Sequence, residues 1–423
     1  MHPFSRIHLP MIAAIAAILC LGSIASRGTL AATAATPSIN ETCLACHGDK
    51  DAKRADGSSI AVEGAIFAQS VHGQMQLKCT DCHSDVSAQK LPHPEKLKPV
   101  ACANCHQNEA KAYSVSEHGM ARSAGKTTAA TCTDCHGTHD IRPASDAASR
   151  TNHANIEATC GACHGNDVIV KKATLPGGNI VRQFADSIHG RALNGAARSA
   201  APTCTNCHGA HGILPKSNPT SRTNRANIPD TCGSCHREER EKFANSLHGQ
   251  LRQEGNAAAP VCTDCHTAHR IQQHELAQFQ LAVIGDCGNC HEAHLSTYRD
   301  TFHGQITALG FTHVATCASC HGAHEILPAS NPASMVSPQN RLATCQKCHA
   351  GASANFATFD PHADRHNKAH DRVYFYAALF MHWLLIGVFA FFGIHTVFWL
   401  YRSLRETLAR GKRRHGGNQG GTP

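Results

Sequence analysis

The chain has 423 residues and a formal net charge of +8, with aromatic residues at only 5%. So few bulky side chains are poor material for an ordinary peptide core. The charge is also unevenly spread. Arg402, Arg405, Arg410, Lys412, Arg413 and Arg414, less Glu406, put +5 on the C-terminal tail, Arg6 and Arg27 add +2 near the start, and about +1 remains between them. That distribution excludes nucleic acid as a partner of the main body.

Residues 1–34 read as a secretory signal peptide, with basic Arg6, an apolar run from Leu9 to Ala25, and an A-x-A site at Ala32-Thr33-Ala34. The alternative is a retained membrane anchor. Cys20 would mark a lipoprotein, but Leu19 precedes it where a small residue is wanted.

Residues 35–365 are expected to form one domain organised by Cys-x-x-Cys-His, which occurs eleven times. The copies are Cys43, Cys46 and His47; Cys79, Cys82 and His83; Cys102, Cys105 and His106; and Cys132, Cys135 and His136. They continue with Cys160, Cys163 and His164; Cys204, Cys207 and His208; Cys232, Cys235 and His236; and Cys262, Cys265 and His266. The last three are Cys287, Cys290 and His291; Cys317, Cys320 and His321; and Cys345, Cys348 and His349. Together they use twenty-two of the twenty-three cysteines.

C-x-x-C-H is the attachment signature of c-type haem. Two thiols one helical turn apart can form thioethers with one porphyrin, and the adjoining histidine reaches its iron. A lone CxxC could be a redox dithiol or half a zinc site. Eleven copies, each with its histidine, set those readings aside. Eleven haem c groups are therefore expected, about one every 30 residues. The fold class that follows is short α-helices and irregular loops wrapped around a chain of haems, with little strand. Folding should require the haems.

Between the motifs runs an internal repeat. One half-unit is aromatic-x-x-S/T-x-H-G, at residues 67–73, 113–119, 184–190, 243–249 and 298–304. It offers His72, His118, His189, His248 and His303 as second axial ligands, with His362 in the sixth equivalent place. The other half-unit, CxxCHxxH, offers His139, His211, His269 and His324, and His93 replaces the histidine missing after His83. One distal histidine per motif histidine points to bis-histidine irons closed to substrate. Spare histidines that could substitute are His153, His274, His294 and His313. Which distal histidine serves which motif is not readable from spacing. Loops such as ILPKSNPTS (213–221) and ILPASNPAS (326–334) read as connectors with no assigned chemistry.

Residues 366–401 form a juxtamembrane segment and a transmembrane helix: Val373 to Tyr401 carries no Asp, Glu, Lys or Arg and is long enough to span a bilayer once. The basic tail, 402–423, is expected to be cytoplasmic and the main domain periplasmic. His382 and His395 lie in the apolar span, with His366 and His370 just before it. They could hold haem b or a quinone, though thirteen residues rotate a helix by roughly 140° net. A plain anchor is the alternative.

The motifs, the S-x-H-G stretches and the CxxCHGxH halves over about residues 40–362 resemble the multihaem c-type cytochromes, in particular the cytochrome-c3-type and decahaem periplasmic carriers. The resemblance implies electron transfer between the quinone pool, or a cytochrome b or quinol dehydrogenase subunit, and other periplasmic cytochromes or outer-membrane acceptors. A quinol-oxidising subunit and a periplasmic reductase with one open haem are the rival functions. Multihaem nitrite reductases mark their open haem with CxxCK, which does not occur here, and no tyrosine sits beside a motif as in hydroxylamine-oxidising relatives.

Overall fold

The computed structural model describes residues 38–175 and 179–416; the signal-peptide reading, with Cys20, lies outside them, as does the end of the tail. Helices of three to twelve residues follow one another, and the last, Arg372–Gly416, has 45 residues. Among the described residues, extended pairing is confined to a single bridge, Lys53 to Ser59. The expected fold of short helices and loops is what the chain adopts.

The described residues divide into two compact units, one of 38–63 with 78–98, the other of 64–77 with 99–175 and 179–416. In the first, helix Ile39–His47 carries the first motif, and Asn40 Oδ1 accepts the Cys79 N–H at 2.9 Å to position the second. The second unit holds the other nine motifs and the long helix.

The motifs fall into two structural classes that alternate along the chain. Odd-numbered copies mostly lie at or near the end of a helix that approaches from upstream, as in Ile156–His164 and Ala277–Gly288. Even-numbered copies begin a one-turn helix, as in Cys132–His136, Cys204–His208 and Cys262–His266. A helix that starts at the first cysteine needs its free N–H groups satisfied. The second variable residue does this: Asp134, Asn206 and Asp264 accept the N–H of Thr131, Thr203 and Val261 at 2.7, 2.8 and 2.7 Å. The recurrence of CTDCH and CTNCH among even copies therefore has a local cause. Gly137, Gly209, Thr267 and Gly322 follow these motifs at φ of 88°, 81°, 62° and 81°, turning the chain toward the next histidine.

The S-x-H-G half-unit is a helix cap. Ser70, Ser116, Ser187 and Ser246 are all buried, and each accepts the N–H of the glycine three residues on at 3.0–3.1 Å. Thr301 does the same for Gly304. The hydroxyls of Ser116, Ser187, Ser246 and Thr301 donate back to the carbonyl of the preceding aromatic residue. That carbonyl lies so close to the glycine that any Cβ there would collide with it. The histidine between cap and glycine is thus held on a backbone with little freedom.

Repeats are stitched to one another through the backbone. The N–H groups of Val71, Glu117, Ile188 and Leu247 donate to the carbonyls of Ile141, Ile213, Ile271 and Ile326 at 2.8–2.9 Å. The loops after these isoleucines are pinned by side chains. Buried Ser149, Ser221 and Ser334 donate to carbonyls seven residues back, and the amides of Asn155, Asn227 and Asn340 each satisfy two carbonyls. Buried apolar side chains are few: Ile156, Leu193, Ala201, Ala259, Val261, Ile284, Tyr298, Leu327 and Ala352 among the described residues. No peptide core of that size sustains a chain of this length.

Ser246→Ala should cost about 1 kcal/mol by loss of the cap. Gly249→Ala should cost more, because its Cβ has no room, whereas Gly255→Ala, at φ 88° with nothing near the added Cβ, should cost only backbone strain. Thermal unfolding of the three variants checks the order.

Candidate functional site: paired histidines

Each motif histidine is placed by the end or the single turn of its helix, and each distal candidate by a cap or a tight turn. The structure brings ten such pairs together. In the first unit, the rings of His47 and His93 lie 5.8 Å apart, centre to centre, and 6° from parallel. In the second, His72 meets His106 at 6.0 Å, His118 meets His164 at 6.1 Å, and His189 meets His236 at 6.1 Å. His248 meets His291 at 6.2 Å and His303 meets His349 at 6.1 Å. His211 meets His136, His269 meets His208 and His324 meets His266, all at 5.9 Å. His362 meets His321 at 6.2 Å. His83 belongs to the first unit and His139 to the second.

The spacing is informative. Two metal–nitrogen bonds of about 2 Å in line place two imidazole centres about 6 Å apart once the ring radii are added. Rings in direct contact would lie closer. The histidine pairs therefore fit a six-coordinate iron, and the two cysteines of each motif fit the porphyrin around it. Among the described residues no cluster of three or more His, Cys, Asp or Glu is arranged for a bare metal ion. The zinc reading of the CxxC pairs finds no support in that arrangement.

Pairing follows two interleaved series. Each S/T-x-H-G histidine meets the second motif downstream of it. His211, His269 and His324 each meet the even-numbered motif before their own, and His362 occupies the corresponding place for His321. Histidines close in sequence thus serve different motifs.

The electrostatics suit ligation. Burial pushes the imidazoles of His136, His208 and His266 toward the neutral form, and the neighbouring partner histidine pushes the same way. A neutral imidazole offers a lone pair. Several rings are also oriented through the other nitrogen. Nδ1 of His47 lies 2.9 Å from the Ile60 carbonyl, that of His93 2.9 Å from the Pro94 carbonyl, and that of His362 3.1 Å from Thr297 Oγ1. An N–H donated there leaves Nε2 for a metal.

The thiols extend the pattern. The first cysteines of successive motifs meet in pairs: Cys43 with Cys79, Cys102 with Cys132, Cys160 with Cys204, Cys232 with Cys262, and Cys287 with Cys317. Between those pairs, Cys135 faces Cys163, Cys207 faces Cys232, Cys265 faces Cys287, and Cys320 faces Cys345. Attachment points from the third motif to the eleventh therefore adjoin in sequence order within the second unit.

Two of the spare histidines have partners outside the pairs, and a third lies beside two pair members. His153 Nε2 lies 3.1 Å from the Arg198 carbonyl, and His274 pairs with Glu275 at 3.1 Å. His294 sits 6.2 Å from His291 and 4.9 Å from His362. Its spacing sets it apart from the other spares, since His291-x-x-His294 copies the even-motif pattern at an odd motif. Sequence reading did not find Phe279, stacked on His266 at 5.3 Å, or Phe356, 5.0 Å from His349; isolated aromatics carry no periodic signal. His382 and His395 lie exposed on one unbroken helix, so nothing relieves the rotation of roughly 140° between them.

His211→Ala should leave the iron at His136 five-coordinate. About one iron in eleven would then become high-spin and bind carbon monoxide, and added imidazole would restore the low-spin spectrum. His153→Ala should leave electron paramagnetic resonance unchanged.

A family model for cytochrome c3 matches residues 71–165, and one for the doubled CXXCH motif matches residues 196–241. The multiheme cytochrome MtrA of Shewanella baltica (strain OS185) is 25% identical over 220 residues, 48% of this chain and 55% of that protein. The high-molecular-weight cytochrome c of Nitratidesulfovibrio vulgaris is 22% identical over 363 residues, 76% of this chain and 58% of that protein. The chain thus spans a little over half the length of the curated relatives it matches. No solved structure matches it. Haem-attachment motifs in a repeat matched by two such models, and relatives that are themselves multihaem cytochromes, show this chain to be similar to the multihaem c-type cytochromes and support covalent haem binding at its CxxCH motifs.

Proposed function

We propose that the chain carries eleven haem c groups, each with the motif histidine and one distal histidine as axial ligands, and relays electrons along them. The observation that carries this reading is the iron-sized separation of ten histidine pairs, all between 5.8 and 6.2 Å. A bis-histidine iron has no open position for substrate, which favours a wire over a reductase. Haem supplies the redox couple when bound. The chain's residues bury ligands such as His136, His208 and His266, which favours their neutral form, orient rings such as those of His47 and His93, and space the attachment points so that neighbours could exchange electrons.

The further parts of the reading are a cleaved N-terminal signal, residues 35–365 in the periplasm, and a single C-terminal span with a cytoplasmic tail. The helix Arg372–Lys412 is long and apolar enough to cross a membrane, and no residue of its most apolar window is buried. Electrons would pass between the quinone pool, or a cytochrome b or quinol dehydrogenase partner, and periplasmic or outer-membrane acceptors. The juxtamembrane segment supports entry at the membrane end. Arg365 pairs with Asp300 at 3.3 Å, on the same helix as Thr297, whose hydroxyl meets His362. The His321–His362 pair is then the one tied most directly to the anchor.

Intact-mass analysis of the purified full chain should show eleven haem additions and a start after residue 34. Ferric spectra should be low-spin throughout; a native high-spin haem would turn the reading toward a reductase. In stopped flow with a reduced quinone analogue, His382→Leu and His395→Leu should leave the reduction rate unchanged within about two-fold if the helix is only an anchor. A loss of ten-fold or more would make it a quinol or haem b site.

A further inference from the structure

The fifth S/T-x-H-G unit ends the series, and its surface differs from the inner ones. Units at His118, His248 and His303 each run fourteen residues from histidine to the next cysteine, so their positions correspond one to one. Where the inner units carry Glu117 and Leu247, the last carries Phe302. Where they carry Ala124 and Glu254, it carries Leu309. Where they carry Lys126 and Asn256, it carries Phe311. Phe302, Leu309 and Phe311 are 75%, 77% and 63% exposed. Residues 302, 306 and 309 share one helix face, so Ile306 completes an apolar stripe.

Four of the six counterparts, Glu117, Lys126, Glu254 and Asn256, are charged or polar groups on exposed surface, which a porphyrin-facing position would not favour; the other two are Leu247 and Ala124. Nor does a following repeat cover the stripe. The N–H of Leu247 is met by the loop at Ile326, whereas the corresponding segment after His362 reads Ala363-Asp364-Arg365 and runs on toward the apolar helix. Arg365 pairs with Asp300, two residues from Phe302, and Lys368 lies over the Tyr376 ring in the first turns of that helix. The seven residues from Arg365 to Arg372 can reach at most about 25 Å. The stripe is therefore leashed close to wherever the helix enters a bilayer.

We propose that Phe302, Ile306, Leu309 and Phe311 seat in the interfacial layer of the membrane, beside the point where the C-terminal helix enters it. Aromatic and leucine side chains on one short helix face are suited to the boundary between headgroups and acyl chains. Seating them would hold the His303–His349 pair, and the adjoining His321–His362 pair, at a set height above the bilayer. This inference rests on the reading of Arg372–Gly416 as a membrane anchor.

The test is photolabelling of the full haem-loaded chain in phosphatidylcholine vesicles containing a diazirine-bearing phosphatidylcholine, with adducts located by mass spectrometry. Residues 302–311 should carry about ten-fold more adducts than the equivalent 247–256. Leu309→Glu with Phe311→Asn, which restores the inner-repeat residues, should remove that labelling and leave the haem spectrum unaltered. Labelling of 373–401 with none at 302–311 overturns the inference but keeps the anchor, as would a stripe covered by another protein or a second copy. Labelling of neither overturns both.

Discussion

Two imidazoles held about 6 Å apart are the constraint on which the rest of this structure depends. Closer, they would stack and exclude a metal; farther, one would leave the iron open. The chain meets the requirement ten times within its two units, with ring angles ranging from 2° to 58°. Distance is conserved among the pairs while orientation is not. That is the behaviour expected if metal–ligand bond length is the governing term. The serine or threonine cap, the glycine with no room for a Cβ, and the positive-φ turn after even motifs all restrict how a histidine can move relative to its helix.

Interleaving then follows from geometry. A histidine three residues after a motif would not reach the far face of a haem held by that motif, and its ring instead meets the histidine of a neighbouring one. The S-x-H-G histidines skip one motif for the same reason. Every pair ties two repeats together, and backbone stitches such as Glu117 to Ile213 reinforce the tie at 2.8 Å. Cofactor ligation and chain topology are in this sense one interaction. The same arrangement brings the cysteines of successive motifs side by side, as the proposed relay would require.

The stability problem is solved without an apolar core. Buried serines and threonines outnumber the large buried hydrophobics, and the Pro/Ser/Asn loops are held by side-chain-to-backbone bonds. Those bonds define shape more than they add free energy, since each replaces a bond to water. The apolar driving force must come from haem, which couples folding to attachment. The last repeat carries more exposed apolar side chains than the inner ones, at Phe302, Leu309 and Phe311.

Much of this was legible in the sequence. The eleven motifs, the class of fold and the distal candidates could be read because covalent attachment and axial ligation demand fixed residue types at fixed local spacing. The low aromatic content showed that peptide alone would not form the core. The partner of each histidine was not legible, because His211 and His136 are separated by 75 residues and nothing local records that their rings meet. The same holds for the tie of Arg365 to Asp300, for Phe279 on His266, and for the unbroken helix that keeps His382 and His395 on different faces. Candidate ligands are a property of short segments, and these could be read from the sequence by itself. Ligand pairing, the order of adjoining cysteines and the exposure of the last repeat depend on where distant segments meet, and only tertiary packing decided them.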